Sequence, residues 1–103
     1  MTEIACTLTP ADMPRRADEI RAIGRDGLLS VERGDGRALL RFRPGARERV
    51  QAIVEAESIC CAFLDFTLAD EDGELVLTIA APEGGELAVQ LLADLFESGR
   101  AAA

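Results

Sequence analysis

The sequence has 103 residues, 49% of them hydrophobic, which is enough for one compact domain with a real core and no need of disulfides. Eleven arginines face nineteen carboxylates for a net charge of −8, so phosphate backbones and anionic membrane surfaces are expected to be repelled. The chain contains no His, Lys, Tyr, Trp or Asn. That excludes Ser–His and Cys–His pairs, Schiff-base chemistry, and Cys₂His₂ or His₃ zinc sites built within the chain.

"EIACTL" (3–8) reads as a short strand with Ile4, Cys6 and Leu8 on one face. Thr9 and Pro10 form a helix start, a hydroxyl cap followed by proline, with Asp12 at the positive end of the dipole. Met13, Ala17, Ile20 and Ile23 fall at helical spacing, and Gly24 and Gly27 bracket the expected stop. Arg15 and Arg16 open this helix, where positive charge opposes the dipole, so one of them should have a partner: an acidic side chain, a carbonyl or an anion.

"LLSVERGDGRALLRF" predicts a hairpin. Leu29 and Val31 alternate before the turn, Ala38, Leu40 and Phe42 after it, and "GDG" (34–36) tolerates positive φ. A second helix is expected from about 45 to 61, with Val50, Ile53, Val54, Glu57, Cys60, Cys61 and Leu64 on its inner face. A second hairpin carries Phe66 and Leu68, then Leu75, Leu77 and Ile79, around "ADEDGE". A last helix should start near Glu83 and bury Leu87, Leu91, Leu92 and Leu95.

The order βαββαββα contains two loosely similar strand–helix–hairpin units. It predicts an α+β fold of the ferredoxin-like, split βαβ type, with helices packed on one mixed or antiparallel sheet of four or five strands. A single domain is expected over 1–98, with 99–103 as a frayed tail.

No apolar run reaches the roughly 20 residues a membrane helix needs. "MTEIACTLTPADM" has no basic segment leading into an apolar one, so a secretory signal is not expected and the cytoplasm is the expected compartment. Thiols stay reduced there, and a cysteine cluster more often binds metal or reacts than forms a bridge. The cysteines are Cys6 and the adjacent pair Cys60–Cys61. Glu57 lies one turn before the pair on the same apolar stripe, a local conflict of the kind that marks functional sites.

Three thiolates without imidazole suit Hg(II), As(III) or Cu(I). Zinc fits less well, needing a fourth ligand such as Glu57 or Asp65. The metal set read from the sequence is therefore Cys6, Cys60, Cys61 and Glu57. Other readings stay open. Free cysteine also serves as a small core hydrophobe, and a vicinal pair can close a strained, easily reduced disulfide. The domain could instead be a protein-interaction module, a homodimer or a regulator's partner, using the stripe Leu91, Leu92, Leu95 and Phe96.

The remaining motifs carry less. "DEDGE" (70–74) lacks the twelve-residue calcium loop and reads as a charged turn. "RPGARER" (43–49) reads as a solvated basic face. Gly84-Gly85 lacks the dinucleotide fingerprint, so no organic cofactor is expected.

"ACTLTPADMPRRADEI" (5–20), "LLRFRP" (39–44), "CCAFLDFTL" (60–68) and "LVLTIAAPEGGE" (75–86) together resemble a group of small uncharacterised bacterial proteins. Those carry CC-x-F-h-x-F (h apolar) after a helix and A-C-x-L near the N-terminus, and occur beside heavy-metal resistance and mercury-responsive regulators. The resemblance spans nearly the whole chain. It implies a thiol–metal role and carries over Cys6, Cys60, Cys61, Phe63 and Phe66. The usual proline after the pair is Ala62 here. A fainter likeness, in residue types alone, is to organomercurial lyases. It implies that cysteines with Glu57 or Asp65 would cleave a carbon–mercury bond.

Overall fold

The computed structural model describes residues 13–60 and 62–101, the side chains of residues 13, 14, 60 and 101 excepted. The elements in chain order are α1 (Met13–Gly27), β1 (Leu28–Gly34), β2 (Arg37–Phe42), a 3₁₀ turn (Pro44–Ala46), α2 (Arg47–Cys60), β3 (Asp65–Glu71), β4 (Glu74–Ala80) and α3 (Glu86–Ala101). The strands form one antiparallel sheet in the order β1-β2-β4-β3. This is an α+β arrangement compatible with the ferredoxin-like type. The strand expected over 3–8 and the Thr9–Pro10 helix start lie outside the described residues.

Period-two alternation builds the sheet's inner face. Ala38, Leu40 and Phe42 on β2 stand opposite Ile79, Leu77 and Leu75 on β4, and all six are buried. Phe66 and Leu68 extend this face to the edge strand β3, half-buried. On β1 the alternation slips. Leu28 pairs with Phe42 but Ser30 pairs with Arg41, so Leu29 is the extra residue of a bulge. Leu28, rather than Leu29, is therefore the buried residue.

Both hairpins turn on Asp-Gly. Asp72 and Gly73 have φ of 53° and 79°, the pair of left-handed residues a type I′ turn requires. In the first hairpin Asp35-Gly36 closes the loop, with Gly36 at φ 64°. The two turns lie 37 residues apart, and that same shift carries β1 onto β3 and β2 onto β4 with cross-strand register kept beyond the bulge.

Ile20 and Ile23 of α1, Val50 and Ile53 of α2, and Val89, Leu92, Ala93 and Phe96 of α3 complete the core. The Phe42 and Phe96 rings meet edge to face, with centroids 5.3 Å apart. The buried stripe of α3 is thus rotated from the one expected: Leu87 and Leu91 are 70% and 54% exposed. The cause is how closely α3 approaches α1. A Cβ on Gly24 would sit 1.9 Å from the Phe96 carbonyl oxygen, and one on Gly99 would sit 1.8 Å from that of Arg21. Backbone meets backbone at these two glycines, and that fixes which side of α3 turns inward. Gly24 is therefore a contact residue inside α1 and not part of its stop. Likewise, α3 continues through buried Gly99 to Ala101, where a frayed end is expected.

Candidate metal centre at the end of α2

Arg47 to Cys60 form a helix whose inward positions run Val50, Ile53, Glu57. Glu57 is 3% exposed, the one buried charged side chain among the described residues. A carboxylate is not left in such a place without a partner. Arg16, in the first turn of α1, donates from Nη1 to Glu57 Oε1 at 2.9 Å. Its guanidinium side chain stays 21% exposed while Glu57 is enclosed. The ion pair joins residues 41 positions apart and draws the beginning of α1 to the last turn of α2. The partner expected for Arg15 or Arg16 is thus an acidic side chain, and it belongs to the candidate site.

Cys60 is the final residue of α2. Glu57 and Cys60 are i and i+3 on one helix, neighbouring positions on its surface. Cys6, Cys61 and the side chain of Cys60 lie outside the described residues. Beyond the pair, Phe63 and Leu64 are buried, at 8% and 5% exposure. The Phe63 ring lies over Gly85, where a Cβ would come within 3.0 Å of it. The pair is therefore bracketed by two fixed points: the Glu57 ion pair before it and the Phe63 anchor after it. Ile59, next to Cys60, is 80% exposed, so this end of α2 reaches the surface. Asp65 is exposed at the start of β3. Among the described residues no three His, Cys, Asp or Glu side chains are grouped as a metal site.

The other charged motifs resolve into surface pairing. In the basic run, Arg47 meets Asp70 and Arg49 meets Asp26 at 2.9 Å. Arg41 reaches Glu71 at 3.5 Å, so the acidic turn is tied to the sheet. Arg33 on β1 holds Glu97 at 2.7 Å and Asp94 at 2.9 Å on α3. Those bonds, Glu97 first, raise its already high proton affinity. An open hollow of about 520 Å³ beside the Asp35-Gly36 turn is lined by Asp35, Glu83 and Glu86. Among the described residues, no helix is long and apolar enough to cross a membrane.

Sequence reasoning finds Glu57 but not Arg16 as its specific mate. The signal lies in the two arginines at the wrong end of a helix dipole. No protein-family model, curated protein or solved structure matches the chain.

Proposed function

We propose that the protein binds a soft metal or metalloid ion, Hg(II), As(III) or Cu(I), through the thiolates of Cys6, Cys60 and Cys61, in the cytoplasm. One observation carries this reading. The Arg16–Glu57 ion pair brings the start of α1, six residues of chain after Cys6, against the turn of α2 that ends in Cys60. The start of α1 and the end of α2, the described segments that lead in sequence towards Cys6 and Cys61, therefore meet. The soft donor set, free of imidazole, matches these ions better than Mg²⁺ or Ca²⁺. Glu57, one turn before the pair, adjusts the protonation of the thiols. The resemblance to proteins found beside heavy-metal resistance functions points the same way.

The test is a titration of reduced, anaerobic protein with Hg(II), As(III), Cu(I) and Zn(II) against glutathione, followed by native mass spectrometry. One ion per chain held against excess glutathione, with three protons displaced, is expected. Cys60→Ser and Cys61→Ser should each lower affinity sharply. Equal affinity in the doubly substituted protein would rule the site out.

A second reading has its own support. Of the stripe Leu91, Leu92, Leu95 and Phe96, Leu92 and Phe96 are buried in the core and Leu95 is half-buried, but Leu91 and, one turn before it, Leu87 are exposed on α3, a feature of a protein-interaction module or homodimer in which the cysteines are structural. Thiols inert to alkylation in the folded protein would favour it.

A further inference from the structure

We infer that α3 carries a self-complementary docking face for a second copy of this chain, with the two α3 helices side by side and parallel about a two-fold axis. The inference takes up the exposed leucines of the second reading and commits them to one partner. It holds whether the cysteines are ligands or structural. Leu87 and Leu91 form an exposed ridge, and half-buried Leu95 continues it one turn on.

Flanks of opposite charge border this ridge. On one side lies α1, antiparallel to α3, because Gly24 abuts Phe96 while Arg21 abuts Gly99. That register sets Arg25 level with Leu95, and Arg21 level with Gly99. Ile20 and Ile23 turn into the core, whereas Arg21 and Arg25, one turn apart, are exposed along the seam with α3. On the other side of the ridge stand Asp94 and Glu97, also exposed, and Arg33 of β1 holds both in place. Asp94 and Leu95, three and four residues after Leu91, fall on opposite sides of it.

A two-fold axis parallel to α3 lays the arginine flank of each copy against the acidic flank of the other. Arg25 then stands level with Asp94 of the second copy, Arg21 lies near the level of Glu97, and each leucine of the ridge meets its own counterpart. Such a patch, receiving the same surface that it presents, is what a two-fold interface requires. The antiparallel arrangement fails on charge, since its axis lays arginines beside arginines and acids beside acids. Arg21 and Arg25 already hold Asp18 and Asp26, but in exposed pairs that cost little to exchange. The leucines supply apolar area and the charges set the orientation. One short ridge falls below the roughly 800 Å² per partner of a standard interface, so the dimer is weak and forms with concentration.

Sedimentation velocity of the full, reduced chain over a concentration series tests the inference, the reductant preventing disulfide-linked dimers. A monomer–dimer equilibrium is expected. Leu91→Gln should weaken it about tenfold or more. Arg25→Glu and Asp94→Arg each create two like-charge contacts about the axis and should each weaken it about threefold. The double variant exchanges the signs and should return to within about twofold of the wild type. All three positions are exposed, and circular dichroism checks that each variant is folded. A wild type still monomeric at about 1 mM, the range of very weak association, would overturn the inference. So would a dimer indifferent to Leu91→Gln, or one that the single charge variants leave unchanged, as antiparallel helices would. A double variant weaker than either single would overturn it too. Alkylation of the thiols is read separately, so inert thiols in a monomeric chain would sink this partner while leaving the second reading in place.

Discussion

Helix α1 is held on its two flanks by different physics. Against α3 it lies backbone to backbone, with Gly24 under the Phe96 carbonyl and Gly99 under that of Arg21. Against α2 it is held by charge, Arg16 with Glu57 and Asp26 with Arg49. Between those ion pairs runs an open groove of about 290 Å³ lined by Ala22, Ile23, Ala52 and Ile53. The first contact has no tolerance, because a single added methyl group collides with a carbonyl that cannot move without its helix. The second can loosen by rotating side chains. An adjustable element placed beside a rigid one lets one corner of a small fold shift while the core keeps its packing. The candidate site stands on the adjustable flank.

The largest effect should come from the rigid flank. Gly24→Ala or Gly99→Ala should each cost about 3 kcal/mol or more in urea unfolding, at the upper end of overpacking. A cost below about 0.5 kcal/mol, the scale of a neutral surface change, would mean that the two helices slide freely. Next comes the charged flank. Arg16→Gln or Glu57→Gln should cost about 2 kcal/mol, below the ~3–5 kcal/mol of a fully enclosed pair because Arg16 keeps contact with water. The double variant should cost less than the two singles together, which a mutant cycle reads directly.

Gly73→Ala separates crowding from backbone strain. Gly73 has φ of 79°, and a methyl group added there would meet nothing within 4 Å. About 1–2 kcal/mol is therefore expected from the left-handed backbone alone. The smallest effect belongs to Asp26. Its hydrogen bond from Arg25, then that from Arg49, holds its carboxyl below the usual range. A lowered folded-state value stabilises above the unfolded carboxylate range and is lost as pH falls through the folded value. The slight deficit of Asp26→Asn at pH 7 should therefore vanish in acid and in 1 M salt, since the pair is fully exposed.

The hairpins are legible because alternation and Asp-Gly turns are local signals. Leu40, Phe42, Leu75, Leu77 and Ile79 are all buried as their spacing implies. The bulge at Leu29 is not legible, since one inserted residue leaves the same letters in the same order and only the pairing with β2 reveals it. The spacing of leucines holds for Leu92 and Leu95 but misleads for Leu87 and Leu91, because smaller residues govern the close approach of α3 to α1. Gly99, Ala93 and Val89 point inward while Leu87 and Leu91 point out. Glu57 stands out as a charge on an apolar stripe. Its mate does not, because 41 residues separate them and only the tertiary fold joins the two.

The 37-residue shift between hairpins gives the sheet a centre. Shifting Leu40 by that interval lands on Leu77, its own partner across the β2–β4 ladder, and Leu39 and Thr78 exchange in the same way with Val76 and Arg41. The ladder is therefore isologous: each half presents the other with the surface it receives. Two-fold subunit interfaces are built on that rule. Here both halves are written in one polypeptide, which leaves α3 free to break the symmetry and cover one side.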